Sequence, residues 1–211
     1  MEHDAARPLE GRKESGRRPQ ARVALALLEA LRDMDRPVEI LKDEDVSLTL
    51  PRRFGLSGVV DAQIRRYERE ARHGRRIPAA EVEDLMRLAT RRDDAEEIFT
   101  RVGRSLTAAD GAPSWRRVFP ERVVLPWARQ RVRRRLKSLF GERIVSAARG
   151  RFALEASSDV FLSADPDGGA CSLVTGLSQA ILDAYAPGAG EIAHSSCRAR
   201  GDGRCLWSLQ Q

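Results

Sequence analysis

Apolar positions recur at helical spacing through the first two-thirds of the chain. Val23, Leu27, Leu31 and Met34 fall at i, i+4, i+8 and i+11, and Leu25 and Leu28 widen the stripe. A helix with a broad apolar face is expected there, ended by Pro37. Residues 46–50 alternate instead (Val46, Leu48, Leu50), the pattern of a strand, until Pro51 to Gly55 breaks it. Ser57 is placed to cap a second helix, whose face is Val60, Ile64, Tyr67 and Ala71 and whose other side carries Arg65, Arg66, Arg69 and Arg72. Two further stripes follow: Val82, Leu85, Met86 and Ala89, then Ala95, Ile98, Phe99 and Val102. Beyond a loop with Gly111, Pro113 and Trp115, a helix is expected from Pro120 to about Phe140, with Pro126 either kinking it or marking its start.

From residue 141 the period shortens. ERIVSA, RFALEA and DVFLSA read as short alternating runs, and Asp165 to Gly169 as a turn. A helix carrying Val174, Leu177, Ile181 and Tyr185 then reaches Pro187-Gly188. Two strands, roughly 190–199 and 204–209, form a hairpin closed by Gly201-Asp202-Gly203. This order predicts an α+β fold, an antiparallel sheet packed against several helices. Residues 1–21 read as a disordered basic tail, 22–42 as an N-terminal helix and 43–211 as the main domain.

Composition narrows the setting. Of 211 residues, 42% are hydrophobic and 32% charged, and no run approaches the roughly 18 apolar residues of a membrane span. Met1 to Gln20 has no apolar core of the secretory kind, so a cytoplasmic location is expected. The formal charge of +6 is concentrated: residues 116–137 hold nine basic side chains against Glu121 alone. Arg129, Arg133, Arg134 and Lys137 are the candidates there for contact with nucleic acid or another anion. A solvated helix face is the favoured reading, because no aromatic or base-reading motif accompanies the charge.

The chemistry gathers at the C-terminal end. All three cysteines, Cys171, Cys197 and Cys205, lie there, and His194 stands three residues before Cys197. An odd, small number of cysteines is no disulfide scaffold, so these are expected to be thiols, buried or metal-bound. Cys3His is a standard structural zinc set, and Cys197 and Cys205 flank a tight turn that lets them converge. In a regular strand, however, His194 and Cys197 point to opposite faces, so both can ligate only if the strand bulges or begins after His194. If His194 does not ligate, Glu191 or water must complete the shell. The alternative is three reduced core cysteines and a satisfied histidine.

The stretch from Asp159 to Leu209 resembles the C-terminal half of the 4-vinyl reductase (4VR) domain. That family places a cysteine before a glycine-containing helix, then a strand, then an acidic residue just short of Cys-x-Ala-x-Gly-Asp-x-x-Cys. Cys171, Gly176, Cys197, Ala199, Gly201, Asp202 and Cys205 match, and His194 stands at the acidic position. The resemblance implies a fold shared with the ligand-binding domain of aromatic-sensing activators and, more distantly, with TRAPP-type subunits. It also implies zinc at the cysteines, a hydrophobic small-molecule ligand and a homodimer. Its pocket would lie between helices and sheet, where Phe99, Trp115, Trp127 and Phe161 are the candidate lining residues. Some members act in tetrapyrrole and bacteriochlorophyll 4-vinyl reduction, which makes an enzyme or accessory role the second expectation. A nucleic-acid or scaffold role for the 116–137 surface is the third. The sequence carries no phosphate loop, nucleophile elbow or dinucleotide glycine pattern, so a binding domain without catalysis of its own is the favoured reading.

Overall fold

In the computed structural model, which describes residues 18–34, 58–107, 114 and 119–210, the helical stripes of the sequence fold as helices. The strand expected at 46–50, Ser57 and Trp115 lie outside the described residues. Helix α1 (Ala21–Met34) buries Ala21, Val23, Ala24, Ala26, Leu27, Leu28, Ala30 and Leu31. That is wider than one stripe because three helices surround it: α2 (Gly58–Arg72), α3 (Ala79–Thr90) and α4 (Ala95–Ser105). Helix α2 buries only Ile64 and Tyr67 along its length, which leaves most of its arginine side to solvent.

Helix α5 (Glu121–Phe140) begins after Pro120 and continues through Pro126, so Pro126 does not mark its start. It ends at Gly141, whose φ of 80° is the left-handed cap that glycine adopts without strain. The runs ERIVSA and RFALEA supply β1 (Val145–Ala147) and β2 (Ala153–Ala156). DVFLSA does not join them. It forms a short helix, α6 (Val160–Ala164), with amide bonds from Ser163 to the Asp159 carbonyl and from Asp165 to that of Phe161. Six residues satisfy either period; here the helical one wins, because it buries Val160, Phe161 and Ala164 together and sets Phe161 edge-on to Phe140 at 5.5 Å.

Helix α7 (Ser172–Tyr185) lies at the centre, packed on α4, α5 and the sheet. Its approach to α4 is close enough to require glycine on both sides. A Cβ on Gly103 would lie 2.2 Å from the Leu173 carbonyl oxygen, and one on Gly176 would lie 2.1 Å from that of Thr100. Strands β3 (Glu191–Ser196) and β4 (Leu206–Gln210) complete an antiparallel sheet of order β1-β2-β4-β3. Its inner face presents Leu154, Trp207 and Ile192, all buried, while Ser146, Glu155, Ser195 and Ser208 alternate onto the outer one. Among the described residues no helix is long and apolar enough to cross a membrane.

Candidate metal centre

Three separate pieces of chain bring the thiols and the imidazole together. The first is the turn after α6. Asp165, almost fully buried, accepts the Asp167 amide at 3.0 Å on Oδ1 and the Ala170 amide at 2.6 Å on Oδ2. The Cys171 amide bonds the Gly168 carbonyl at 3.2 Å, closing a 3-10 turn (Gly169–Cys171) that runs directly into α7. Gly168 has φ 85°, and a Cβ there would come within 2.9 Å of Cys197 Sγ. The turn carrying Cys171 is therefore seated against the hairpin by the bareness of a glycine.

The second piece is the hairpin turn. Residues expected to extend the strand to 199 instead form a 3-10 turn (Arg198–Arg200) ended by Gly201 at φ 93°. Asp202 holds it: its carboxylate accepts the Cys197 amide at 2.6 Å, and its own amide bonds the Cys197 carbonyl at 3.1 Å. The Arg198 amide donates to Cys205 Sγ at 3.3 Å. An amide aimed at sulfur favours the thiolate, the form that binds metal.

The third piece is β3, where the geometric objection is resolved. His194 pairs with Trp207 and Ser196 with Leu206, so Ser195 is an extra residue, a β-bulge. One inserted residue reverses the alternation, and His194 and Cys197 fall on the same face as Cys205 and Trp207. The His194 ring lies parallel to Trp207, with centroids 4.7 Å apart and planes 10° from coplanar.

The ligand atoms of Cys171, His194, Cys197 and Cys205 all lie within 4.8 Å of one another, and the set could hold a metal ion. The three cysteines are buried and free of disulfides. His194 Nε2 is shut off from solvent and has no hydrogen-bond partner. Burying a polar nitrogen with nothing to bond costs about 1–3 kcal/mol, so an ion at this point would remove a penalty. Burial brings the His194 imidazole down to about 4, helped by Arg200 and opposed by Asp202; it is neutral, the ligating form, at ordinary pH. Burial, and after it the neighbouring sulfurs of Cys205 and Cys197, push the Cys171 thiol far up. Burial raises Cys205 as well, against the Arg198 amide. Such thiols ionise only when a cation sits beside them, and soft sulfur donors with one imidazole suit a tetrahedral transition metal. Glu191 is not part of the set: it is exposed and lies opposite Gln210.

Around the site the arginines of the turn reach acids on the body of the protein. Arg198 pairs with Asp159, Arg200 with Glu96 at 2.8 Å and Arg204 with Glu155 at 3.5 Å. Exposed pairs of this kind contribute at most about 1 kcal/mol each, so they orient the turn more than they hold it.

The chain matches no family model, and comparison with curated proteins and with solved structures finds no match.

No cleft among the described residues is lined by Phe99, Trp127 or Phe161. Phe99 and Phe161 are core, and Trp127 is 42% exposed with its ring edge-on to Phe119 at 5.3 Å. An open cleft of about 620 Å3 lies elsewhere, between α1, α2 and α3, lined by Leu28, Val60, Tyr67, Leu85 and Leu88 among others. The basic candidates also separate. Arg129 donates to the Ala148 carbonyl and Arg133 to Gln130, whereas Arg134 and Lys137 line a second cleft. The turn read at Asp165 to Gly169 is present, and the Asp165 carboxylate bonds the backbone two residues on, as an Asp in such a turn does; its further bond to the Ala170 amide, and the seat that Gly168 gives Cys197, depend on folding.

Proposed function

We propose that this chain is a zinc-stapled binding domain for a hydrophobic or aromatic small molecule, as the 4VR resemblance implies. The observation that carries it is the buried Cys171, His194, Cys197 and Cys205 set, with His194 Nε2 lacking any protein partner. Four protein donors fill a tetrahedral zinc shell and leave no position for a reacting water, which marks a structural ion. Zinc here would fasten the start of α7 to the β3–β4 hairpin. Helix α3 supports the link to ligand binding, since it packs against the turn carrying Cys171 and also forms a wall of the α1–α2–α3 cleft. The volume of that cleft suits a small molecule, and its apolar wall extends to the exposed Val59 and Leu88. A homodimer belongs to the same reading.

Two measurements test it. Chelator should lower the thermal midpoint, with zinc restoring it; an unchanged midpoint would remove the staple. Naphthalene, as an aromatic probe, should bind the full chain and lose affinity at least tenfold in Leu88→Glu, an exposed position whose change leaves the core intact. Equal binding by that variant would remove the cleft from the proposal.

A further inference from the structure

We propose that the cleft lined by Arg18, Arg76, Arg134 and Lys137 is a binding site for a small anion of the diphosphate class. The cleft, of about 610 Å3, opens where the last turn of α5 meets the chain before α1 and the segment after α2. Among the described residues its lining is these four cations with Ser138 and Gly141, and holds no carboxylate. None of the four cations is in an ion pair among the described residues, whereas arginines elsewhere on the surface pair with acids, Arg66 with Glu70 and Glu81 and Arg151 with Glu121.

The cations are held together by backbone. Gln20 and Arg76 form an antiparallel bridge, flanked by amide bonds from Ala21 to the Arg75 carbonyl at 3.0 Å and from Ile77 to that of Pro19 at 2.9 Å. The Gln20 amide bonds the Leu139 carbonyl at 2.7 Å, fixing this ribbon to the end of α5. The Arg76 guanidinium is oriented in turn, donating to the Arg18 carbonyl at 2.6 Å and the Ser138 carbonyl at 2.9 Å. Gly141 makes room for it: a Cβ there would lie 3.1 Å from both Arg76 Nη1 and the Arg18 carbonyl oxygen.

Helix capping accounts for only part of this. The C-terminus of α5 carries the equivalent of about half a negative charge, which Arg76 answers through the Ser138 carbonyl and Lys137 from within the last turn. Arg18 and Arg134 are surplus to that, and like charges gathered with no acid among the described residues raise the energy of the folded chain until an anion joins them. Guanidinium forks match phosphate oxygens in pairs, and four cations balance a diphosphate more closely than a single phosphate. A nucleic-acid strand would need the charge to continue as a track along α5, but Arg129 and Arg133 are turned to the Ala148 carbonyl and Gln130.

The test titrates inorganic pyrophosphate into the full chain by calorimetry and thermal melting, at ionic strength matched with chloride and with sulfate. Pyrophosphate should raise the midpoint saturably and more than sulfate does. The Arg134→Gln/Lys137→Gln double variant should bind at least tenfold more weakly, while a cooperative melt in chloride shows that it still folds. Equal effects of sulfate and pyrophosphate, or undiminished binding by the variant, would overturn the site. A single-stranded oligonucleotide that binds more tightly than pyrophosphate and is lost in the same variant would overturn the small-anion assignment.

Discussion

His194 lies flat against Trp207 at 4.7 Å, on the side of the sheet that Cys197 and Cys205 share, because Ser195 bulges out of β3. This bulge decides whether the histidine is a ligand or a bystander. His194→Ala should therefore weaken zinc binding at least tenfold in competition with a chelator, while Glu191→Gln, at the exposed far end of β3, should leave it unchanged. The opposite pattern would move the fourth ligand to the carboxylate.

Asp202 is not one of the four candidate ligands, but its carboxylate accepts the Cys197 amide and so sets the pitch of the turn. Asp202→Ala should lower zinc affinity by about 10- to 100-fold, the usual effect of removing a group that orients a ligand. A competition titration with an unchanged zinc constant would show that the turn holds itself.

Gly103 and Gly176 allow α4 and α7 to touch backbone to backbone. Alanine at either position inserts a methyl that neither backbone can avoid without moving the helices. Each substitution should cost about 3 kcal/mol of stability, because the obstruction is main chain and not a flexible side chain. In a chain of this length that is a fall of roughly 10 °C in the midpoint. Midpoints within a degree or two of the parent would contradict the close packing.

Tyr67 gives a pH signature away from the candidate metal site. It donates to Glu81 at 2.8 Å, and burial, followed by that hydrogen bond, pushes its phenol up to about 12 from the usual 10. A raised folded value means that the unfolded chain loses its proton first. The contribution is complete below about pH 10 and is lost as pH rises toward 12. Tyr67→Phe should thus show a shallower loss of stability than the parent across that window. Phenolate absorbance in a Tyr185→Phe background reads Tyr67 directly, and a midpoint near 10 would refute the shift.

Much of this was legible in the sequence, for physical reasons that also mark the boundary. Long amphipathic helices announce themselves, so α1, α3, α4 and α7 could be read from their stripes. Cysteine and histidine are scarce enough here that their clustering identifies a candidate site. The bulge at Ser195 could not be read, since register depends on the partner strand and not on β3 alone. DVFLSA carried too few residues for its period to distinguish helix from strand. Phe99 and Phe161 have the same sequence character whether they line a pocket or fill a core, and packing made them core. Arg76 and Ser138 are 62 residues apart in the chain, so no local pattern could join them in one cleft.

The central claim is that Cys171, His194, Cys197 and Cys205 form one closed metal site. Cobalt exchange into the purified protein tests it most directly, because cobalt absorbs visibly where zinc is silent. A closed site should take up one ion per chain, with strong sulfur-to-cobalt charge transfer, the visible bands of a tetrahedral site, and loss of that spectrum when zinc is added back. Substoichiometric cobalt, or the weak spectrum of an octahedral aqueous ion, would contradict it.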